Sequence, residues 1–421
     1  MGDVQDVLVG SAAVLMFAGF ATCFCSVRRT CCEGVFNPPD PAPSVPPFCG
    51  KGGFKSIDVR KVLLIYNPHA GKCLAETLCR EYVIPGLRAR GVEPAAIPTQ
   101  HCGHAREIAQ TSALEGFDAV VCMGGDGTLH EVVNGMLARE DGCRPPVTVI
   151  PVGSGNGVAA TLRQSMRRTG MEVPMWSEVE AVVGWSLDRV AGGRVAMADL
   201  LEVSLQGRRL VAVMQIFLGT LGEVDILAEP FRWLGPLRLD LLSVWSVLKQ
   251  RGRSFAYQAT LADGSMASRQ HEALGINVGL TQHWTDGMRG SPQAQLDDGL
   301  AELNVVSSKS SVDDLLTKFL HIPLGAHEFD ESDQVTGISF DLGMPGVVNI
   351  DGEIFEHDGK LGIQVLPQHL EVLVGKDEME WTAQQEEEGG LDKFAVAVGA
   401  HPHRWRMLGI YCLGSMVVQA I

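Results

Sequence analysis

Short apolar runs alternate with longer amphipathic stretches between residues 60 and 165. Four of these runs, KVLLIYNP, PAAIP, DAVVCMGG and PVTVIPVG, have the length and composition of buried strands. The stretches that follow them begin near Lys72, Gly103, Thr128 and Gly157 and carry apolar residues at helical spacing. This repetition predicts a doubly wound parallel sheet, with loops at the carboxyl ends of its strands available for a ligand.

From about residue 195 to residue 375 the rhythm changes. Strand-like runs such as RLVAVMQIF, LGINVGL and HLEVLVG dominate, and few long helical patterns separate them. Successive strands without intervening helices predict a mostly antiparallel β-sandwich. The fold class predicted for the whole chain is therefore α/β, with a doubly wound parallel sheet followed by this sandwich.

The first apolar segment of the chain differs from the others, because residues 7–27 contain no charged side chain. This length is sufficient for a helix to cross a bilayer. Acidic residues precede the segment, and Arg28 and Arg29 follow it. These flanks predict a single transmembrane anchor with the body of the protein facing the cytoplasm, and they argue against a cleaved secretory signal. A buried or interfacial helix is the alternative, and acylation of the adjacent cysteines stays open.

Shifts in composition divide the chain into five parts. Proline and glycine are concentrated ahead of the first strand, and an acidic, glutamine-rich stretch follows the last one. We predict an N-terminal anchor with a cysteine-rich segment over residues 1–36, a linker over 37–59, the α/β domain over 60–190, the β-sandwich domain over 191–376, and an acidic connector with an apolar tail over 377–421.

Overall composition excludes several classes of protein. Apolar residues make up 46% of the 421 residues and charged residues 20%, which is typical of a folded globular chain. Fifty acidic residues against 34 basic ones give a net charge of −16, so a nucleic-acid partner is not expected. The 11 cysteines are an odd number without CxxC spacing, which favours reduced thiols over a disulfide framework.

Two glycine-rich turns follow neighbouring predicted strands. The first, GGDGT, spans residues 124–128, and the second, GSGNG, spans residues 153–157. Consecutive glycines let the backbone approach a ligand, and free amides at the start of the following helix suit an anion. A third turn, NPHAGK at residues 67–72, follows the first strand. Because these turns meet at one edge of a parallel sheet, they predict a polyphosphate site, although the Walker A spacing is absent.

The aspartate in the first turn is the main candidate for catalysis. A carboxylate beside a polyphosphate is electrostatically costly unless a metal ion or a proton transfer uses it. Asp126 is therefore predicted to act as a general base toward an attacking hydroxyl or as a Mg²⁺ ligand, and both roles stay open. His101, His104 and His130 lack partners at metal-ligand spacing, so surface or capping roles are expected for them.

Together, NPHAGK, GGDGTLHEVVNG and PVGSGNGVAATL resemble the catalytic domain of the diacylglycerol kinase and sphingosine kinase superfamily. Downstream segments, among them LGEVDILAEPFRWLGPLRLD and NIDGEIFEHDGKLGIQVLPQHLEVLVG, are similar in order to segments of eukaryotic sphingosine kinases. The resemblance covers roughly residues 60 to 375. It implies an ATP- and Mg²⁺-dependent kinase that phosphorylates the primary hydroxyl of a sphingoid base at a membrane. Diacylglycerol or ceramide kinase activity and a catalytically silent lipid-binding scaffold are the alternatives.

The resemblance also assigns roles to individual residues. Asp126 matches the aspartate that activates the lipid hydroxyl, and Asp199 resembles the acid that recognises the headgroup of a sphingoid base. Asp126 and Asp351 are the implied magnesium ligands. The residues implied at the nucleotide are Asn67, Gly71, Thr99, Gly124, Gly125, Gly127, Thr128, Gly153, Ser154, Gly155, Asn156, Arg208, Asp351 and Glu353.

One departure from the pattern leaves the substrate open. Sphingosine kinases often begin the first turn with serine, whereas Gly124 gives a form shared with diacylglycerol kinases and, at motif level, with NAD kinases and phosphofructokinases. Asp199 favours an amine-bearing lipid, because a buried carboxylate needs a cationic or hydrogen-bonding partner. A buried aspartate satisfied by its own protein surroundings is the alternative.

Overall fold

The computed structural model describes residue 42 and residues 45–71, 74–163, 179–220, 222–228, 242 and 252–375. The predicted membrane anchor, the acidic connector and the apolar tail lie outside the described residues. Within the described ranges, no helix is both long enough and apolar enough to cross a membrane.

The first half of the chain begins with a short strand, β1 (Phe54–Ser56), that pairs antiparallel with residues 194–196 of the second half. Four parallel strands follow, and they are the four predicted from the sequence. Their bounds are β2 (Lys61–Tyr66), β3 (Glu93–Pro98), β4 (Ala119–Gly124) and β5 (Val147–Pro151). Strands β2 and β4 are central, and the spatial order is β3-β2-β4-β5.

Both faces of this parallel sheet are buried. In β2, Leu63 and Ile65 pack into the larger of two apolar clusters, whereas Val62 and Leu64 pack into the smaller one. Because successive side chains of a strand point to opposite faces, a strand covered on both sides needs an unbroken apolar run. The run KVLLIY is therefore explained by burial on two faces.

Helices cover the faces of this parallel sheet. The described helices of this half are α1 (Ala75–Leu78), a π-helical segment (Cys79–Val83), α2 (Ile84–Ala89), α3 (His104–Thr111), α4 (Asp126–Leu137), α5 (Gly157–Arg163) and α6 (Val179–Gly192).

The strand order changes direction between β2 and β4. In such sheets a crevice opens at that point, beyond the carboxyl ends of the strands.

The second half consists mainly of antiparallel strands. They are β6 (Arg194–Leu205), β7 (Arg208–Ala212), β8 (Gln215–Gly219), β9 (Arg253–Leu261), β10 (Met266–Gly279), β11 (Ala301–Ser307), β12 (Glu331–Asp341), β13 (Gly346–Ile350), β14 (Glu353–His357) and β15 (Lys360–Val374). The described helices among them are α7 (Val224–Ala228), α8 (Val312–His321) and a 3₁₀ turn (Ile322–Leu324).

Strand β15 joins the two halves. It pairs antiparallel with β6 and β12 and parallel with β5, where Val372 lies opposite Val147. Strands β9, β10, β11 and β12 pair in a closed ring. The predicted α/β fold class is confirmed. The domain boundaries stay predictions, although β6 begins at Arg194 and β15 ends at Val374, close to the predicted limits.

Candidate active site

The three predicted turns lie against one another at the carboxyl ends of β2, β4 and β5. The amides of Val152 and Gly153 donate to the carbonyl oxygen of Gly124 at 3.0 and 3.2 Å. A Cβ on Gly153 would overlap the backbone of Gly125, and one on Gly71 would overlap the carbonyl oxygen of Val152. Backbone contact this close requires glycine. The sequence prediction that the turns are neighbours is thus met by the geometry.

Asp126 lies between the two glycine-rich turns. It is the first residue of α4, and its side chain points to the start of α5, where the amides of Gly157 and Val158 donate to its two oxygens at 2.9 and 3.2 Å. The residue is only 9% exposed. Burial raises the pKa of the Asp126 carboxyl to about 6, against the opposing effect of the amide hydrogen bonds. The carboxyl is therefore held in place and titrates close to neutral pH.

Asn156 stabilises the second turn from within. Its side chain accepts from the amide of Gly153 at 3.1 Å and donates to the carbonyl oxygen of the same residue at 2.9 Å. Its φ of 58° is in the left-handed region that asparagine tolerates better than most residues. Ser154, at the tip of the turn, is exposed. The Asn156 amide group is thus used to shape the turn, and the exposed Ser154 remains the polar side chain directed outward.

Two side chains cover the glycines of the first turn. A Cβ on Gly124 would lie 2.6 Å from the Thr128 hydroxyl oxygen, and one on Gly127 would lie 2.6 Å from Oε1 of Glu353. Glu353 is the first residue of β14, so the second half of the chain contributes a carboxylate to the first glycine-rich turn. Only the family resemblance predicts Glu353 at the nucleotide, because no local sequence pattern points to it.

Asn67 and Thr99 stand at the same edge of the sheet. The amide of Asn67 donates to the carbonyl oxygen of Met123 at 3.0 Å, and the amide of Thr99 donates to Tyr66 at 2.8 Å. The side-chain oxygen of Asn67 accepts from the amide of His69 at 2.9 Å. Both residues therefore lie at the carboxyl ends of β2 and β3. The nucleotide contacts that the resemblance implies for them stay predictions.

Asp351 is buried, and both of its oxygens are fully engaged. Oδ1 accepts from the amides of Met214 and Gln215, each at 2.9 Å, and Oδ2 accepts from the amide of Val213 at 2.7 Å and from His130 Nδ1 at 2.9 Å. A carboxylate offers about four lone-pair positions, so these donors fill them. This arrangement favours a structural role for Asp351 over the predicted magnesium ligation.

The position of His130 differs from the sequence prediction. It is 5% exposed and its ring is bonded to Asp351, whereas the sequence favoured a surface or capping role. Asp351 lies 221 residues further along the chain, so local spacing carried no signal for the pair. Together the two residues tie the middle of α4 to the turn between β13 and β14.

Arg208 is exposed at the start of β7. Val213, just after the other end of that strand, contacts Asp351. At about 3.3 Å per residue, five steps of strand separate Arg208 from Val213 by about 16 Å. The phosphate contact that the resemblance implies for Arg208 stays a prediction.

Asp199 is likewise held by backbone. Its oxygens accept from the amides of Gly299 at 2.6 Å and Gln368 at 2.7 Å, and the residue is 1% exposed. Burial raises the pKa of this carboxyl. The adjoining cavity, lined largely by apolar residues such as Leu129 and Val158, has a volume of about 30 Å³. That space suits one or two water molecules and is far below the size of a lipid site.

Complete burial and two amide hydrogen bonds favour a structural role for Asp199. The headgroup contact that the resemblance implies stays a prediction. We expect Asp199→Asn to lower the free energy of unfolding by about 1–3 kcal/mol, because an amide NH₂ group would face a backbone donor. The KM for a lipid substrate should remain unchanged. Urea unfolding and steady-state kinetics measure the two effects, with the exposed Asp358→Asn as the control. A raised lipid KM at unchanged stability would restore the headgroup role.

Comparisons with known proteins also point to the segment that contains the glycine-rich turns. Residues 61–195 match the family described as the diacylglycerol kinase catalytic domain. The match begins at β2, includes both glycine-rich turns and ends in β6. Residues 61–195 are thus similar to a diacylglycerol kinase catalytic domain.

Similarity to curated proteins extends beyond this domain. The chain is 34% identical over 212 residues to human sphingosine kinase 2, covering 49% of this chain and 32% of that protein. It is 27% identical over 359 residues to mouse sphingosine kinase 1, covering 75% of this chain and 91% of the relative. It spans only about a third of the human relative and of Arabidopsis thaliana sphingosine kinase 1, of which it covers 32% and 37%.

The fold of this chain also has solved counterparts. A crystal structure of a diacylglycerol kinase from Bacillus anthracis str. Sterne superposes with a TM-score of 0.53 at 19% identity, covering 76% of this chain and 98% of that one. At this level of identity the likeness concerns the fold. It includes the antiparallel second half, because three quarters of the present chain are covered.

Proposed function

We propose that the protein is an ATP-dependent lipid kinase that phosphorylates the primary hydroxyl of a sphingoid base to give the 1-phosphate. The observation that carries this proposal is the buried Asp126 carboxyl, fixed between two glycine-rich turns that each open a helix. Such turns suit a polyphosphate, and a positioned carboxyl with a raised pKa suits proton transfer from an alcohol. The sphingosine kinase relatives support the choice of lipid.

The proposed reaction is an in-line phosphoryl transfer. Asp126 removes the proton of the lipid hydroxyl, the hydroxyl oxygen attacks the γ-phosphorus of ATP, and the bond to the β-phosphate oxygen breaks to release ADP. The amides of the glycine-rich turns stabilise the negative charge on the phosphates. The protein thus contributes mainly positioning and electrostatic stabilisation.

A magnesium ion fits the carboxylates of this site. When bound, Mg²⁺ neutralises charge on the transferring phosphoryl group. Asp126 is the proposed base, and Glu353 lies beside the neighbouring Gly127. Glu353 is the residue that we propose to hold the ion or its water ligands, in place of Asp351.

The base role of Asp126 predicts a pH dependence. Because the proton acceptor is the carboxylate and its pKa is raised to about 6, kcat/KM should fall about tenfold per pH unit below pH 6 and level off above it. Lipid phosphorylation measured between about pH 5 and pH 8 at saturating magnesium tests this. A profile that is flat through this range would exclude Asp126 as the titrating base.

The lipid itself is decided by direct assay. The purified chain is incubated with radiolabelled ATP and, in separate reactions, sphingosine, diacylglycerol and ceramide. We expect the label in sphingosine to exceed that in the other lipids. Preferential labelling of diacylglycerol or ceramide would assign the rival activity, and failure to label any lipid would favour a catalytically silent scaffold.

We further propose attachment to a membrane through residues 7–27, with the catalytic body on the cytoplasmic side. A substrate that resides in lipid favours such an anchor, and the charge flanks set the orientation. Deletion of residues 1–36 followed by cell fractionation tests it. We expect the truncated protein in the soluble fraction, and retention with membranes would place the attachment elsewhere in the chain.

A further inference from the structure

Three potential metal ligands meet at the start of α3. His101, His104 and Glu107 each offer a ligand atom, and these atoms lie within 4.8 Å of one another. His101 Nε2 is 3.8 Å from Glu107 Oε2, and the two imidazole rings stack with centroids 4.7 Å apart. The sequence HCGHARE spaces the ligands three residues apart, which brings them to one side of the first helical turn. Surface or capping roles were predicted for these histidines without Glu107, the residue that completes the cluster.

His101 is already oriented as a metal ligand. Its Nδ1 lies 2.9 Å from the carbonyl oxygen of Cys102. A carbonyl oxygen only accepts hydrogen bonds, so Nδ1 carries the proton and Nε2 of the neutral ring keeps its lone pair. Metal-binding histidines commonly donate their second ring nitrogen to a carbonyl in this way. Nε2 lies 3.8 Å from Oε2 of Glu107.

The surroundings of the three ligands suit a cation, although the ligands lie at the start of a helix. Amides at the start of a helix repel positive charge. Here the Glu131 carboxylate of α4 accepts from the amides of Gly103 at 2.9 Å and Ala105 at 3.0 Å, which offsets that charge. The side chains of His101 and Glu107 are 54% and 63% exposed, so an ion reaches them directly from solvent.

Metal binding at His104 has an energetic cost. Its Nδ1 accepts from the amide of Gln100 at 3.0 Å, so the neutral ring carries its proton on Nε2. Ligation through either nitrogen therefore requires that this hydrogen bond be given up, at a net cost of about 1 kcal/mol. The cost is small beside the binding energy of a site with two nitrogen ligands and one carboxylate.

We propose that His101, His104 and Glu107 bind one divalent transition-metal ion of the zinc class. Two imidazole nitrogens and one carboxylate oxygen are a ligand set that such ions accept, with remaining positions filled by water. The site uses no residue of the glycine-rich turns, and metal binding there does not depend on the proposed kinase activity. It lies on the segment that follows Thr99, and the amides of Gly103 and Ala105 connect this segment to α4 by donating to the Glu131 carboxylate.

The test is a Zn²⁺ titration of the metal-stripped full-length chain in competition with a chromogenic chelator. Because the chain has 11 cysteines and 12 histidines, the measured quantity is the difference between variants. His101→Gln and Glu107→Gln remove one ligand each, and the exposed His369→Gln is the matched control. Circular dichroism checks that all four proteins are folded.

We expect both ligand variants to lose one equivalent of bound zinc, or to bind it more than about tenfold more weakly, while His369→Gln titrates as the wild type. Identical titrations of all four proteins would overturn the proposal. A loss confined to His101→Gln would also overturn it, because a three-ligand site requires Glu107.

Discussion

Asp126→Asn is expected to reduce lipid phosphorylation by about 10²–10⁴-fold, the range that a positioned general base contributes. The substitution preserves the size of the side chain and one oxygen that can accept from the start of α5, but it removes the group that takes the proton. ATP affinity should change little, because the amides of the glycine-rich turns stay in place. Initial rates with saturating lipid and equilibrium ATP binding measure the two quantities.

A loss of activity in Asp126→Asn must be separated into a loss of catalysis and a loss of folding. Asp126 accepts hydrogen bonds from Gly157 and Val158, so an unfolded or loosened variant would lose activity for another reason. Thermal unfolding of the variant with and without ATP distinguishes these cases. Activity within about tenfold of the wild type in a folded variant would be incompatible with the general-base role.

Gly153→Ala is expected to weaken ATP binding by about tenfold or more and to lower the free energy of unfolding by about 1–3 kcal/mol. The added Cβ would overlap the Cα of Gly125 and lie 2.9 Å from its amide nitrogen. These are backbone atoms and cannot rotate away, so the two turns must separate. Isothermal titration with ATP and urea unfolding give the two values.

Gly184→Ala is the matched control for this substitution. Gly184 lies within α6, and a Cβ there would meet no atom within 4 Å. Alanine favours a helix interior by up to about 1 kcal/mol over glycine, so this variant should be as stable as the wild type or more so. If Gly153→Ala bound ATP as tightly as Gly184→Ala, contact between the turns would not be needed for the nucleotide.

The parallel half and its turns were predictable from sequence because their signals are local. The unbroken run KVLLIY marks a strand buried on two faces, and GGDGT between an apolar strand and an amphipathic helix marks a ligand-binding turn. That these turns meet follows from the rule that parallel strands end at one edge of the sheet. The position of Asp126 between them therefore followed from pattern alone.

Residues whose partners are distant in sequence were not predictable in this way. Asp199 and Asp351 both have the sequence signature of functional carboxylates, yet their oxygens are engaged by amides from strands and turns far along the chain. A buried carboxylate that binds backbone and one that binds a ligand look alike in sequence. The phosphate contact implied for Arg208 also depends on register, here along β7, and it stays a prediction.

The most direct measurement is the transfer of radiolabelled γ-phosphate from ATP to sphingosine by the purified full-length chain, alongside Asp126→Asn under the same conditions. We predict labelled sphingosine 1-phosphate from the wild type and about 10²–10⁴-fold less from the variant, with ATP still bound by both. Equal transfer by the two proteins, or no labelled product from sphingosine, diacylglycerol or ceramide with the folded wild type, would contradict the assignment of this site to lipid phosphorylation.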